Sequence, residues 1–144
     1  AIGRPHIARA MMEKGYISKF EEAFKYIGHD GPAYVAREKM TPEEAVALIV
    51  RSKGLPALAH PFTVKDPEAM VISLTGAGLK GIEAYYKDNT PPETAATLKL
   101  AETYGLIPTG GTDYHGIGDA KEVMMGGVEV PLDSAQKLIA ARLH

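Results

Sequence analysis

The chain has no cysteine among its 144 residues. That excludes disulfides, Cys-based zinc sites and a thiol nucleophile, and it fits a reducing cytoplasm, which is the expected location. Long hydrophobic runs are missing as well. No apolar stretch approaches the roughly 20 residues needed to span a bilayer, and no signal-peptide pattern is expected, so no membrane partner is anticipated. Neither sign of charge dominates. A formal net charge of -2 gives no bulk attraction to nucleic acid or to a membrane surface, although a local positive pocket stays open. Low-complexity segments and sequence repeats are absent. The Gly-rich stretch after His115 lacks the Gly-x-x-x-x-Gly-Lys-Ser/Thr pattern, which excludes a nucleotide P-loop.

What is present is an ordinary soluble composition, 45% hydrophobic and 24% charged, with length for one domain. Such a chain buries on the order of two-thirds of its unfolded surface. It opens at Ala1, not at a methionine, and a piece of a longer protein is expected.

The first forty residues read as helical hairpins. Pro5 suits a helix start, where its missing N–H costs nothing. Ile7, Ala10, Met11 and Lys14 keep helical spacing, and Gly15 offers a C-terminal cap. Ser18-Lys19-Phe20-Glu21 reads as a capping box before Phe20, Ala23, Phe24 and Ile27, with Gly28 ending the helix. His29 to Pro32 is a turn, and Tyr34 to Lys39 is ambiguous, with an extended link as one reading.

From Thr41 the rhythm alternates. Thr41-Pro42-Glu43-Glu44 is a capping box with proline at the first helical position. Ala45, Leu48 and Ile49 are then expected to face a core, with Gly54 ending the helix. Leu55 to Ala59 reads as a buried strand. Asp66-Pro67 opens a helix toward Thr75, closed near Gly76 and Gly78. Gly81 to Tyr85 is a strand. Thr90-Pro91-Pro92-Glu93 starts a helix through Tyr104, stopped by Gly105. Leu106 to Thr109 is a strand, Gly110 to Gly118 a turn, and Val128 to Val130 a short last strand. Asp133 or Ser134 caps a final helix to Leu143. Alternation of this kind argues for an α/β fold with a parallel sheet and helices outside it. A closed barrel needs more strands than these, so the sheet is either small and open or part of a barrel. A boundary near Met40 separates a helical lobe, residues 1–40, from an α/β part, residues 41–144.

Chemistry-bearing residues gather at strand ends. His60 follows a strand and precedes Pro61, which holds residue 60 out of the helical region and leaves the chain extended. The plain reading is a half-buried histidine bonded to backbone; beside Asp113 and His115 it reads as a metal ligand. Asp113 and His115 are two apart, which in extended geometry puts both on one side, and Gly110, Gly111 and Gly116 flank them. The competing reading is an Asx-type turn with a surface histidine. Imidazole and carboxylate together suit Zn, Mn or Fe, and the carboxyl ends of parallel strands are where α/β folds build sites.

Arg4 and His6 sit with Pro5 at a helix start, where guanidinium and the helix N-terminus both favour phosphate; the alternative is a solvated face. Glu83 ends a strand, where it can ligate a metal, orient a histidine, or pair with Lys80 or Lys87. His29 and His144 read as exposed and inert. Tyr85 and Tyr86 read as packing, and Met11, Met12, Met124 and Met125 as core filler.

Taken together, Gly3-Arg4-Pro5-His6-Ile7-Ala8, Ala33-Tyr34-Val35, Leu58-Ala59-His60-Pro61, Gly81-Ile82-Glu83-Ala84-Tyr85-Tyr86 and Gly110-Gly111-Thr112-Asp113-Tyr114-His115-Gly116 resemble the PHP family, named for polymerase and histidinol phosphatase domains. The resemblance is to the carboxyl-terminal part of its bacterial phosphoesterases, which act on nucleoside 3′,5′-bisphosphates and short RNA. It implies a partial (β/α)7-type barrel with a helical lobe inserted in it. It also implies two or three divalent ions at the carboxyl-end face, with His60, Asp113 and His115 as ligands. Arg4 and His6 become phosphate-binding candidates, and Glu83 a residue behind the ligands. The family's His-x-His motif and most of its other ligands have no counterpart here. The chain alone is therefore expected to be inactive, to lack the amino-terminal half of the barrel as its partner, and to expose a sheet edge open to oligomerisation. The resemblance assigns no catalytic group. A binding module descended from such a domain, without catalysis, is the competing reading.

Overall fold

The computed structural model describes residues 3–35, 39–116 and 122–142. The chain divides into two compact units, Ala1–Lys39 and Met40–His144.

In the first unit, helix α1 spans Arg4–Glu13, with Gly15 in the left-handed region (φ +73°) just beyond it. A 3-10 turn, Phe20–Ala23, runs into the single-turn helix α2, Phe24–Ile27. The expected Ser18–Glu21 box is displaced by one residue. It is Glu22 whose carboxylate accepts from the Ser18 and Lys19 amides at 2.9 and 3.4 Å, because the chain enters a 3-10 turn at Phe20 and not an α-helix. Ala8, Ile17 and Ala23 form a small core, with Met11, Phe20 and Ile27 packed against it.

The second unit is α/β. Helix α3 spans Pro42–Arg51 and opens on the expected box. The Glu44 amide donates to Thr41 Oγ1 at 3.1 Å, and the Thr41 amide donates to Glu44 Oε2 at 2.7 Å, satisfying two amides that the helix leaves unpaired. Strand β1 is Ala57–Leu58 and a 3-10 turn follows at Pro61–Thr63. Then come helix α4, Pro67–Ala77, strand β2, Gly81–Tyr86, helix α5, Pro91–Tyr104, strand β3, Ile107–Gly111, and helix α6, Leu132–Arg142. The Asp66 side chain caps α4, accepting from the Ala69 amide at 3.0 Å. The Thr90–Glu93 box opens α5, and Gly105 closes it at φ +65°.

The strands form one parallel sheet in the order β1-β2-β3, so the expected α/β class with parallel strands is borne out. Val46, Val71, Leu74, Leu79, Ile82, Ala101 and Leu106 form its core. Each large apolar side chain buried there contributes ~1.5–3 kcal/mol.

Several sequence expectations are corrected. Val128 to Val130 form no strand; the run is short and held between Gly126-Gly127 and Pro131. Strand β1 is shorter than Leu55 to Ala59, since Pro56 has no amide to donate; its carbonyl instead accepts from the Lys80 and Gly81 amides. In α3 it is Val46 that is buried, while Leu48 and Ile49 are 42% and 40% exposed. Lys53, and not Gly54, takes the left-handed position after α3 (φ +61°). Neither Asp133 nor Ser134 caps α6: the helix begins at Leu132, and Asp133 pairs one turn on with Lys137. Met12, Met124 and Met125 are exposed and fill no core. Leu143 and the last part of the Gly110–Gly118 turn lie outside the described residues.

One irregularity positions the site. Between Glu83 and Tyr85 the β2–β3 register slips: Glu83 stands opposite Thr109, yet Tyr85 stands opposite Gly110. Ala84 is the extra residue of a β-bulge. A Cβ on Gly110 would lie 2.3 Å from the Tyr85 carbonyl oxygen, so only glycine fits beside it.

Candidate metal centre

His60, two residues past β1, has φ +45° and ψ +57°. This left-handed conformation replaces the extended one expected before Pro61. The proline closes off the right-handed helical region, and the chain turns back immediately, the Thr63 amide and hydroxyl both bonding the His60 carbonyl. Asp113, two residues past β3, is also left-handed, at φ +52°. Among the described residues Lys53 is the other non-glycine with positive φ. Such backbone costs of order 1–3 kcal/mol per residue, and two of the three cases fall on candidate ligands.

Glu83 binds His60 twice. Its Oε2 accepts from the His60 amide at 2.9 Å and lies 3.4 Å from His60 Nε2. Asp113 Oδ2 lies 4.0 Å from the same nitrogen. His115 reaches Asp113 in a different way from that expected: with Asp113 left-handed, the segment is a turn and not extended. His115 Nδ1 sits 2.7 Å from the Asp113 carbonyl oxygen and 3.8 Å from its Oδ1. The turn is tied down by Glu122, whose Oε1 accepts from the amides of His115 and, at 3.1 Å, of Gly116. Glu83 thus pairs with His60; Lys87 takes Asp88 instead, at 2.5 Å.

The Tyr86 ring lies 4.6 Å from the His60 imidazole, tilted by 32°, with Lys87 Nζ 5.1 Å from the Tyr86 ring centre. Burial pushes the Tyr86 hydroxyl pKa above its ordinary value. The bond to Asp88 raises that of Lys87, and the same bond lowers that of Asp88. Strict strand alternation would put Glu83 and Tyr86 on opposite faces. The Ala84 bulge lets both meet His60.

Two ligands each about 2.1 Å from one tetrahedral ion stand about 3.4 Å apart. The separations of 3.4, 3.8 and 4.0 Å are close to that, and the imidazole and carboxylate chemistry fits a divalent cation. Among the described residues, however, no three His, Asp or Glu side chains converge on a single ion position. The His115 ring is turned onto the Asp113 carbonyl, and Glu83 is already engaged by the His60 amide.

Arg4 and His6 lie in the first unit. The His6 Nδ1 accepts from the Gly3 amide at 3.0 Å, closing the start of α1, and the Arg4 guanidinium carbon lies 5.6 Å from the Tyr34 ring centre. His29 is exposed beside Asp30, at 3.1 Å, and His144 lies outside the described residues. Sequence reasoning passed over Tyr86, weighed as packing, and Glu122, which no motif marks. No described helix is long and apolar enough to cross a membrane.

No family model matches the chain. Over 73 residues, 51% of its length, it is 41% identical to the phosphoribosyl 1,2-cyclic phosphate 1,2-diphosphodiesterase of Eggerthella lenta. Over 120 residues, 80% of its length, it is 28% identical to the 5′-3′ exoribonuclease Rnm of Escherichia coli. It spans 28% and 41% of the lengths of these two relatives. Among solved structures it superposes on a protein of Bifidobacterium adolescentis assigned as a metal-dependent phosphoesterase. The TM-score is 0.77 at 24% identity, with 96% of this chain and 50% of that chain covered. These relatives bear out the resemblance to the PHP phosphoesterases, and the superposition bears out the fold.

Proposed function

We propose that the chain is the carboxyl-terminal part of a metal-dependent phosphoesterase. Its substrates are nucleoside 3′,5′-bisphosphates or short oligonucleotides. The observation that carries this reading is the meeting of His60, just past β1, Glu83, inside β2, and Asp113, just past β3. His60, Asp113 and His115 would hold the ions, Mn, Zn or Fe. Glu83 orients His60 through its amide and imidazole. A bound divalent ion supplies a water of lowered pKa and neutralises phosphoryl charge. Arg4 and His6 are the phosphate-binding residues.

Three ligands complete no hydrolytic centre. The others, a His-x-His motif among them, are supplied by a further segment in a protein of the relatives' length, which also closes the barrel; this chain by itself is inactive. The open three-stranded sheet and the exposure of Leu48, Ile49, Ile72, Leu132 and Ile139 support a missing apolar partner. Catalysis-free binding is the second reading, and the lack of three converging ligands among the described residues favours it.

The test is hydrolysis of bis-p-nitrophenyl phosphate and adenosine 3′,5′-bisphosphate by the intact protein, with and without Mn. The proposal expects metal-dependent turnover that His60→Ala lowers by ~100-fold or more. An intact protein that hydrolyses neither substrate with Mn, Zn or Fe replaces it with the binding-module reading.

A further inference from the structure

The two candidate ligating histidines share one contact. His60 donates its backbone amide to Glu83 Oε2 at 2.9 Å. His115 donates its backbone amide to Glu122 Oε1, and the Gly116 amide reaches the same oxygen at 3.1 Å. We propose that Glu122 is the positioning residue of His115: it holds the turn in which the imidazole is fixed as one tautomer, with Nε2 left as the ligating atom. The inference rests on the metal-dependent phosphoesterase reading and adds to it a residue outside the resembling segments.

The backbone needs such a holder. Asp113 is left-handed at φ +52° and Gly116 at φ +66°. Glycine adopts that region freely, whereas at Asp113 the surroundings must impose it. Successive amides aimed at one oxygen form an anion-binding nest, and bonds from amides to a carboxylate are stronger than those between neutral groups. Glu122 lies seven residues beyond His115 and is half-buried. Its contact therefore closes the turn from outside, as Glu83 in β2 does for the backbone of His60.

The ring follows from the backbone. His115 Nδ1 lies 2.7 Å from the Asp113 carbonyl oxygen. A carbonyl oxygen only accepts, so Nδ1 carries the hydrogen and donates it. In the neutral imidazole the lone pair is then on Nε2, the atom available to a divalent ion. A backbone carbonyl behind Nδ1 is a common way of orienting a ligating imidazole. The bond reaches back two residues, so it lasts only while residues 113 to 115 keep their turn. The His115 side chain is 62% exposed, and little packing restrains it otherwise.

The test compares the native intact protein with Glu122→Ala and Glu122→Gln. Ring-nitrogen NMR of the metal-free protein reads the tautomer, and calorimetric titration reads Mn affinity. The native protein should show Nδ1–H at His115. Glu122→Ala should let the ring exchange between tautomers and should weaken Mn by ~10–100-fold. Glu122→Gln keeps an acceptor oxygen without the charge and should fall between the two. Should Glu122→Ala not fold, Glu122→Gln carries the comparison. The proposal is overturned if the native ring carries its hydrogen on Nε2, or if the folded variants keep the native tautomer and the native Mn affinity. A lower melting temperature with both readouts unchanged makes Glu122 a purely structural residue and overturns it too. A native Nδ1–H tautomer that Glu122→Ala abolishes, in a protein that binds no Mn, overturns the metal-centre reading and leaves Glu122 as the residue that positions His115.

Discussion

Glu83, in the middle of β2, holds His60, two residues past β1, by two separate atoms: the backbone amide at 2.9 Å and the imidazole Nε2 at 3.4 Å. The first contact fixes a left-handed backbone, and the second fixes where the ring points. A carboxylate accepting a charge-assisted bond in a half-buried place costs ~1–3 kcal/mol when removed. Partners that orient a ligating histidine cost ~10–100-fold in metal affinity. Glu83→Ala is therefore expected to lower thermal stability without metal and also to weaken Mn binding by that factor. Thermal unfolding and calorimetric titration check the two effects separately.

The bulge at Ala84 gives a second expectation. Gly110→Ala would place a Cβ 2.3 Å from the Tyr85 carbonyl oxygen, backbone that cannot swing aside. Overpacking of this kind costs ~1–3 kcal/mol, and relief requires the β2–β3 register to move. Denaturant unfolding should show the loss. Gly126→Ala is not an equivalent control, because its φ of +83° is itself left-handed; Gly76→Ala, in a helix with open space around it, should be neutral or stabilising.

The α5 cap provides a pH signature. The Thr90 hydroxyl, followed by the Thr90 amide, holds the Glu93 carboxyl below its ordinary pKa. A depressed folded-state value means that the stabilisation is complete above the unfolded-state value and is lost as pH falls through the folded one. The difference in melting temperature between the native chain and Glu93→Gln should be largest near neutrality and vanish in acid, below the carboxylate range. Thr90→Ala should cost ~1 kcal/mol at neutral pH. A Glu93→Gln difference that is constant from pH 7 to pH 3 contradicts this account.

Helices were the legible part of the sequence. Thr41-Pro42-Glu43-Glu44, Asp66-Pro67 and Thr90-Pro91-Pro92-Glu93 each carry a side-chain acceptor and a proline at the helix start, and α3, α4 and α5 begin where those residues say. The α5 end at Gly105 was equally plain. Strands were less legible because their limits depend on partners distant in sequence. Pro56 trims β1, and Val128 to Val130, expected as a strand, pairs with no strand among the described residues. Within the candidate centre, His60 and Asp113 could be marked from their places beyond strand ends, whereas Glu83, expected to end a strand, lies inside β2; the means of bringing the three together could not be read. A two-residue spacing suggested extended alternation for Asp113 and His115, whereas the left-handed Asp113 makes a turn. Tyr86 was hidden by the same alternation rule until the bulge reversed its face. Glu122 reaches back across seven residues to the His115 amide, a contact that no local pattern encodes.

The most direct test of the account is Mn titration of the intact protein, comparing Asp113→Asn with Asp30→Asn. Asp113 faces the His60 imidazole; Asp30 is an exposed carboxylate beside an exposed histidine. The account predicts that Asp113→Asn weakens Mn by ~10-fold or more and that Asp30→Asn leaves it unchanged. Equal Mn affinity in both variants and in the native protein would contradict a metal centre at His60 and Asp113.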